Sequence, residues 1–139
     1  MHIDPTRGIV GELMTRDPII VSDDTPLSDV AELLDRFGIS GLPIVNWSGH
    51  VVGVVSHTDL LRARATQDLW ARWPGLIARH IMTQPVLSTS ADAPIEEAVS
   101  RMESHHVHRL IVVGDDGATP IGVISTTDLV RAMAGRIDL

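Results

Sequence analysis

The sequence predicts an α/β (α+β) protein: tandem β-α-β-β-α repeats, packed sheet to sheet with pseudo-two-fold symmetry. Three observations predict it. A long internal repeat runs through the 139 residues, and repeats of this kind fix an architecture before any single motif does. Each copy carries one amphipathic helical stripe. Each copy also carries two β-branched runs around a short polar turn. The repeats are assigned to residues 8–68 and 76–136, together forming one module.

Met14-Thr15 returns as Met82-Thr83, and Pro26-Leu27 as Pro94-Ile95 at the same offset. Gly53-Val54-Val55-Ser56-His57-Thr58-Asp59-Leu60 returns as Gly122-Val123-Ile124-Ser125-Thr126-Thr127-Asp128-Leu129, one residue further on. After each Met-Thr pair comes a short extended run, Pro18-Ile19-Ile20-Val21 or Pro85-Val86-Leu87. A helix follows, signalled by Asp24-Thr25-Pro26 and Asp92-Ala93-Pro94, where a cap-forming residue lies close to a first-turn proline. Leu27, Val30, Ala31 and Leu34 repeat with helical spacing, as do Ile95, Ala98, Val99 and Met102.

The hairpins come next. Leu42–Val45 and Val51–Val55 flank Asn46-Trp47-Ser48-Gly49, while Leu110–Val113 and Ile121–Ile124 flank Gly114-Asp115-Asp116-Gly117. A second helix starts near Ser56 and near Ser125. A unit of this size sits at the lower edge of independent stability, so the copies are expected to pack together. Between them, the helix after Ser56 is expected to run towards Arg72, break at Trp73-Pro74-Gly75, and give way to a lead-in helix over Leu76–Ile81. Trp70 and Trp73 are expected to pack in the core of this connection, with a subunit contact as the alternative.

Composition removes several classes of chemistry. There is no cysteine, hence no disulfide, thiolate zinc site or cysteine nucleophile. All eleven basic residues are arginine, so a phosphate-binding loop ending in Gly-Lys and a Schiff-base lysine are both excluded. A net charge of −7 opposes general nucleic-acid binding. The N-terminal residues do not form a signal peptide, and no run is apolar enough for a membrane helix, so the expectation is a cytoplasmic protein without membrane insertion.

The Met-Thr pair, the extended run, the hairpin and the Gly-x-x-Ser-x-x-Asp ending, in that order and twice over, resemble the cystathionine-β-synthase (CBS) domain family. The resemblance spans about Val10 to Met133. It implies a paired, or Bateman, module that binds an adenine nucleotide or related adenosyl ligand (AMP, ADP or ATP) in the cleft between the repeats. It further implies a homodimer and a regulatory output, directed here to a separate enzyme or transporter. No cofactor is required and no catalysis is expected.

The resemblance directs Asp59 and Asp128 to the ribose hydroxyls, a role suited to a carboxylate that accepts from two donors. Ser56, Thr58, Ser125 and Thr127 add hydroxyls near sugar and phosphate, where a helix start also favours an anion. Ile19, Ile20, Val86 and Leu87 are candidates to line an adenine slot. His108-Arg109 resembles the basic position that contacts phosphate, whereas the first copy has Ser40-Gly41 there. The two clefts are therefore expected to be unequal. Ser-x-x-Asp at a helix start is equally a capping box that needs no ligand. On that reading the chain is a ligand-free dimerisation scaffold. His105 and His106 align with a helix end, which the helix dipole favours without any metal. The histidines form no nucleophile–base arrangement with Ser56 or Ser125.

Overall fold

The computed structural model of the protein describes residues 7–135. The elements run in the order α1 (Val10–Leu13), β1 (Thr15–Arg16), β2 (Val21–Ser22), α2 (Leu27–Phe37), β3 (Gly41–Val45), β4 (Val51–Ser56), α3 (His57–Ala65) and α4 (Gln67–Ala71). They continue with α5 (Ala78–Ile81), β5 (Ser88–Ser90), α6 (Ile95–His105), β6 (Arg109–Val113), β7 (Pro120–Ser125) and α7 (Thr126–Met133). The mixed α+β class and the β-α-β-β-α order within each repeat are as predicted.

The compact units do not coincide with the sequence repeats. One unit is the continuous stretch Ile19–Val86; the other joins the described residues up to Pro18 to those from Leu87 onward. Each unit thus combines the body of one repeat with the Met-Thr lead-in of the other. The continuous unit holds a three-stranded sheet ordered β2-β3-β4, and the composite unit a four-stranded sheet ordered β1-β7-β6-β5. The extra strand is the lead-in itself: Thr15 and Arg16 pair antiparallel with Val123 and Gly122. In the continuous unit the matching contact is a single bridge between Val54 and Thr83.

Each unit has its own aliphatic core. Leu27, Val30, Leu34, Leu42, Ile44, Val55, Leu76 and Ala78 form one. Val10, Leu13, Met14, Ile95, Ala98, Met102, Leu110, Val112 and Ile124 are central to the other. The predicted helical stripes supply the buried residues of α2 and α6. The lead-ins lock onto the hairpins through a glycine. A Cβ on Gly53 would stand 2.5 Å from Met82 Sδ, and one on Gly122 would stand 2.7 Å from Met14 Sδ and 2.9 Å from the Thr15 carbonyl. Glycine at these points lets the methionine lie directly on the strand.

Several local expectations need correction. Ile19 and Ile20 precede β2, and Val86 and Leu87 precede β5, so none of the four lies in a strand. The ladder begins only at Val21 and Ser88, where parallel pairing with β3 and β6 starts. Pro26 and Pro94 are N-caps rather than first-turn residues, and no side chain caps either helix. Lead-in carbonyls take that role: Leu27 N donates to Leu76 O, and Ile95 N to Gly8 O, both at 3.0 Å. The helix after Ser56 ends at Ala65, because Thr66 adopts an extended conformation and a separate α4 begins. A short 3-10 turn at Trp73–Gly75 follows, and the lead-in helix starts at Ala78, not Leu76. Trp73 packs against the core as expected. Trp70 does not: it is 42% exposed and stacks beneath Arg64, whose guanidinium lies 4.6 Å from the ring centroid.

Candidate functional site

Each second helix begins with the same device. Ser56 and Ser125 sit in extended backbone at the end of a strand and N-cap α3 and α7. Asp59 N donates to Ser56 Oγ at 3.4 Å, and Asp128 N to Ser125 Oγ at 3.3 Å. In return, Asp59 Oδ2 accepts from Ser56 N at 2.8 Å and from its hydroxyl at 3.0 Å. Asp128 Oδ2 has the same two bonds with Ser125, at the same lengths. The capping box is therefore formed in both copies. Both carboxylates are buried, Asp59 to 2% exposure and Asp128 to 5%. A buried charge is tolerated only with this kind of hydrogen-bonding shell.

The second carboxylate oxygen separates the copies. Asp59 Oδ1 accepts from Thr83 Oγ1 at 2.7 Å and from Arg62 Nη1 at 3.5 Å. Asp128 Oδ1 has Thr15 Oγ1 at 3.5 Å and Arg131 Nη1 at 3.9 Å. The Thr83 bond is short and charge-assisted, whereas 3.5 Å lies at the far limit of a hydrogen bond. Asp59 is held on both oxygens; Asp128 is held firmly on one.

Thr15 and Thr83 were not among the residues singled out for a site. The Met-Thr repeat was visible, but nothing in its spacing told that each threonine would meet the aspartate of the other repeat. The methionine on the glycine and the threonine on the aspartate form one joint. Arg62 and Arg131, one helical turn after the aspartates, were likewise unassigned.

The basic residues fall in the composite unit with Asp128. Arg109 lies directly opposite Ser125 in the β6–β7 ladder, and Gly41 lies opposite Ser56 in β3–β4. Opposed residues in an antiparallel pair share a face. Thr126 N, at the start of α7, donates to the His108 carbonyl at 2.9 Å, which fixes His108-Arg109 beside that helix start. The side chain of His108 is exposed and that of Arg109 half-buried. Thr58 and Thr127 are exposed at the second position of their helices. Thr127 lines an open cavity of about 460 Å³ with Thr126, Val130, Arg131 and Ala134.

The proposed adenine-lining residues divide between the units. Ile19, Ile20 and Val86 belong with Asp59, and Leu87 with Asp128. Ile19 and Leu87 pack against their respective cores, while Ile20 is 42% exposed. His105 closes α6 and His106 caps it in left-handed backbone. Among the described residues no group of three or more His, Asp or Glu is placed to hold a metal ion, and no helix is long and apolar enough to cross a membrane.

Two mixed units, each with a buried carboxylate at a helix start tied to a threonine from the other repeat, define a paired-repeat module. A family model described as the CBS domain matches residues 10–66 and 78–135, and the chain belongs to the CBS domain family. The inosine-5'-monophosphate dehydrogenase of Methanocaldococcus jannaschii is 29% identical over 86% of this chain, which spans 22% of that enzyme. The structure of CBSX2 in complex with AMP has a TM-score of 0.80 at 30% identity, covering 92% of this chain and 97% of that one. The CBS domain pair of protein MJ0100, in complex with 5'-methylthioadenosine and S-adenosyl-L-methionine, has a TM-score of 0.83 at 24% identity. The match covers 94% of this chain and 98% of that one.

Proposed function

We propose that the chain is a regulatory module that binds an adenosyl ligand, with AMP the first candidate, and performs no chemistry of its own. The observation that carries this is the loosely held Oδ1 of Asp128. A buried carboxylate with one oxygen in reserve can accept from a ribose hydroxyl without giving up its capping bonds. Arg109, opposite Ser125, is the cation for a phosphate, and the start of α7 adds peptide N–H groups. Ser125 and Thr127 supply further hydroxyls, and Leu87 an apolar wall. The AMP complex of CBSX2, at 30% identity, supports the choice of ligand class.

Asp59 carries the second reading, that of a structural element. Both of its oxygens are engaged, and Gly41 brings no cation opposite Ser56. On this proposal one site per chain binds tightly, and the Ser56–Asp59 copy acts mainly to hold its helix and lead-in.

The output passes to an enzyme or transporter. The dehydrogenase relative, in which this stretch is a minor part of a longer enzyme, supports such a pairing. The active form is a homodimer. Val130 and Met133 on α7 are 63% and 72% exposed, and Leu61 on α3 is 69% exposed, giving each helix an apolar outer side that a second copy would cover.

The test is a thermal-shift and calorimetry series with AMP, ADP, ATP and S-adenosylmethionine. One of them at a hundredfold excess over its dissociation constant is expected to stabilise by about 2.7 kcal/mol, or about 8 °C in Tm. One ligand per chain is expected, and Arg109→Gly should weaken a phosphate-bearing ligand by about tenfold. Unchanged melting with all four ligands would remove the proposal.

A further inference from the structure

Each lead-in threonine meets a buried aspartate, but the two pairs are built differently. Thr83 Oγ1 donates to Asp59 Oδ1 at 2.7 Å, the ordinary length of a finished O–H···O bond. Thr15 Oγ1 stands 3.5 Å from Asp128 Oδ1. The Asp128 side chain also keeps more contact with solvent, 7% against 2% for Asp59. Thr15 itself is exposed. The composite unit therefore presents two oxygens side by side, each reachable from outside, where the continuous unit has one closed bond.

The sheet fixes where Thr15 stands. It pairs with Val123 on β7, and its carbonyl would lie 2.9 Å from a Cβ on Gly122, so the lead-in has no slack there. Alternate residues of a strand point the same way, so Val123 and Ser125 share a face. Thr15, opposite Val123, and Arg109, opposite Ser125, flank β7 on that face. It is the face turned away from the core, into which Ile124 and Leu110 are fully buried. Thr15 and Arg109 thus stand on either side of the strand that leads into the Ser125–Asp128 capping box.

We infer that Thr15 is a specificity-determining residue of the adenosyl site: together with Asp128 it reads a vicinal diol, one hydroxyl to each side chain. The inference rests on the adenosyl reading and deepens it by naming the group that the site selects. A ribose presents two O–H groups on adjacent carbons. Asp128 has Oδ2 committed to the Ser125 N–H and hydroxyl, so Oδ1 is the oxygen it can offer. A carboxylate oxygen takes one sugar hydroxyl in a charge-assisted bond. The Thr15 hydroxyl both accepts and donates, so the second sugar hydroxyl falls to it. Arg109, across β7, is left for the phosphate at the other end of the sugar. A sugar with a single hydroxyl leaves one of the two protein oxygens without its partner, and such a site discriminates against it.

The test is a cycle on the full chain: AMP, 2′-deoxy-AMP and 3′-deoxy-AMP, each titrated by calorimetry against the wild type, Thr15→Val and Thr15→Ser. Valine keeps the β-branched shape that suits a strand and removes only the hydroxyl. Both deoxy nucleotides are expected to bind the wild type more weakly than AMP. Thr15→Val should lose about tenfold in AMP affinity while binding one of the two deoxy nucleotides as well as the wild type does. Thr15→Ser should restore AMP affinity to within about twofold of the wild type. Thr83→Val, the same change in the continuous unit, should leave all three affinities where they were. Equal losses for AMP and both deoxy nucleotides in Thr15→Val would mean that Thr15 acts on the fold of the site and touches no hydroxyl, and the inference would fail. It would fail equally if AMP bound Thr15→Val as tightly as the wild type. In either case AMP binding by the wild type would leave the adenosyl reading standing, whereas a wild type that binds none of the three nucleotides would remove both.

Discussion

The two units have the same capping box and differ in what surrounds it. In the continuous unit, Asp59 is closed off by a 2.7 Å bond from Thr83, and the ladder position facing Ser56 is glycine. In the composite unit, Asp128 keeps one oxygen lightly held, and the facing position is Arg109. The duplicated scaffold keeps the joint that both copies need for stability. On the proposed function, differences at a few positions around it leave one copy as structure and the other open to a ligand.

The largest expected effect would break this comparison outright. Asp128→Ala should cost about a hundredfold or more in AMP affinity, whereas Asp59→Ala should leave AMP affinity within about threefold. The stability cost should run the other way. Asp59→Ala strands the Thr83 hydroxyl, the Ser56 donors and Arg62, and should lose about 3 kcal/mol in denaturant unfolding. Equal affinity losses for the two variants would show that both copies bind.

The glycine joints sharpen the comparison next. Gly122→Ala meets both Met14 and the backbone carbonyl of Thr15, which is fixed by strand pairing. Gly53→Ala meets only the Met82 side chain among its three nearest atoms, and that chain is flexible. Losses of about 3 and about 1 kcal/mol are expected, measured by urea unfolding. The reverse order would mean that the methionine, not the added strand, sets the fit. The smallest effect is in the threonines. Thr83→Val should cost about 1.5 kcal/mol and Thr15→Val about 0.5 kcal/mol in the same assay, following the 2.7 and 3.5 Å contacts.

Much of this architecture is legible in the sequence because it depends on periodicity and on turn chemistry. The stripes of α2 and α6, the two hairpins and the Ser-x-x-Asp helix starts follow from local spacing. The pairing of lead-ins with bodies does not. Met14 and Met82 read alike, and nothing local tells which glycine each will cover; that is decided by tertiary packing. The break at Thr66 is not legible, because the residues on both sides of it, Leu60–Ala65 and Gln67–Ala71, are mostly good helix formers. Ile19, Ile20, Val86 and Leu87 lie outside the ladders for a related reason. Apolar β-branched runs favour extended backbone, but pairing begins only where a neighbouring strand is in reach. Arg109 was legible as a departure between copies, and its position facing Ser125 came only from the ladder register.

The crossed lead-ins also impose an order on folding. The Thr83–Asp59 contact spans 24 residues of chain, and Thr15–Asp128 spans 113. In an unfolded chain, closing the longer loop costs about 1.4 kcal/mol more by the logarithmic dependence on length. During synthesis from the N-terminus, Ile19–Val86 can therefore assemble while Met14 and Thr15 still wait for a hairpin the ribosome has not yet made.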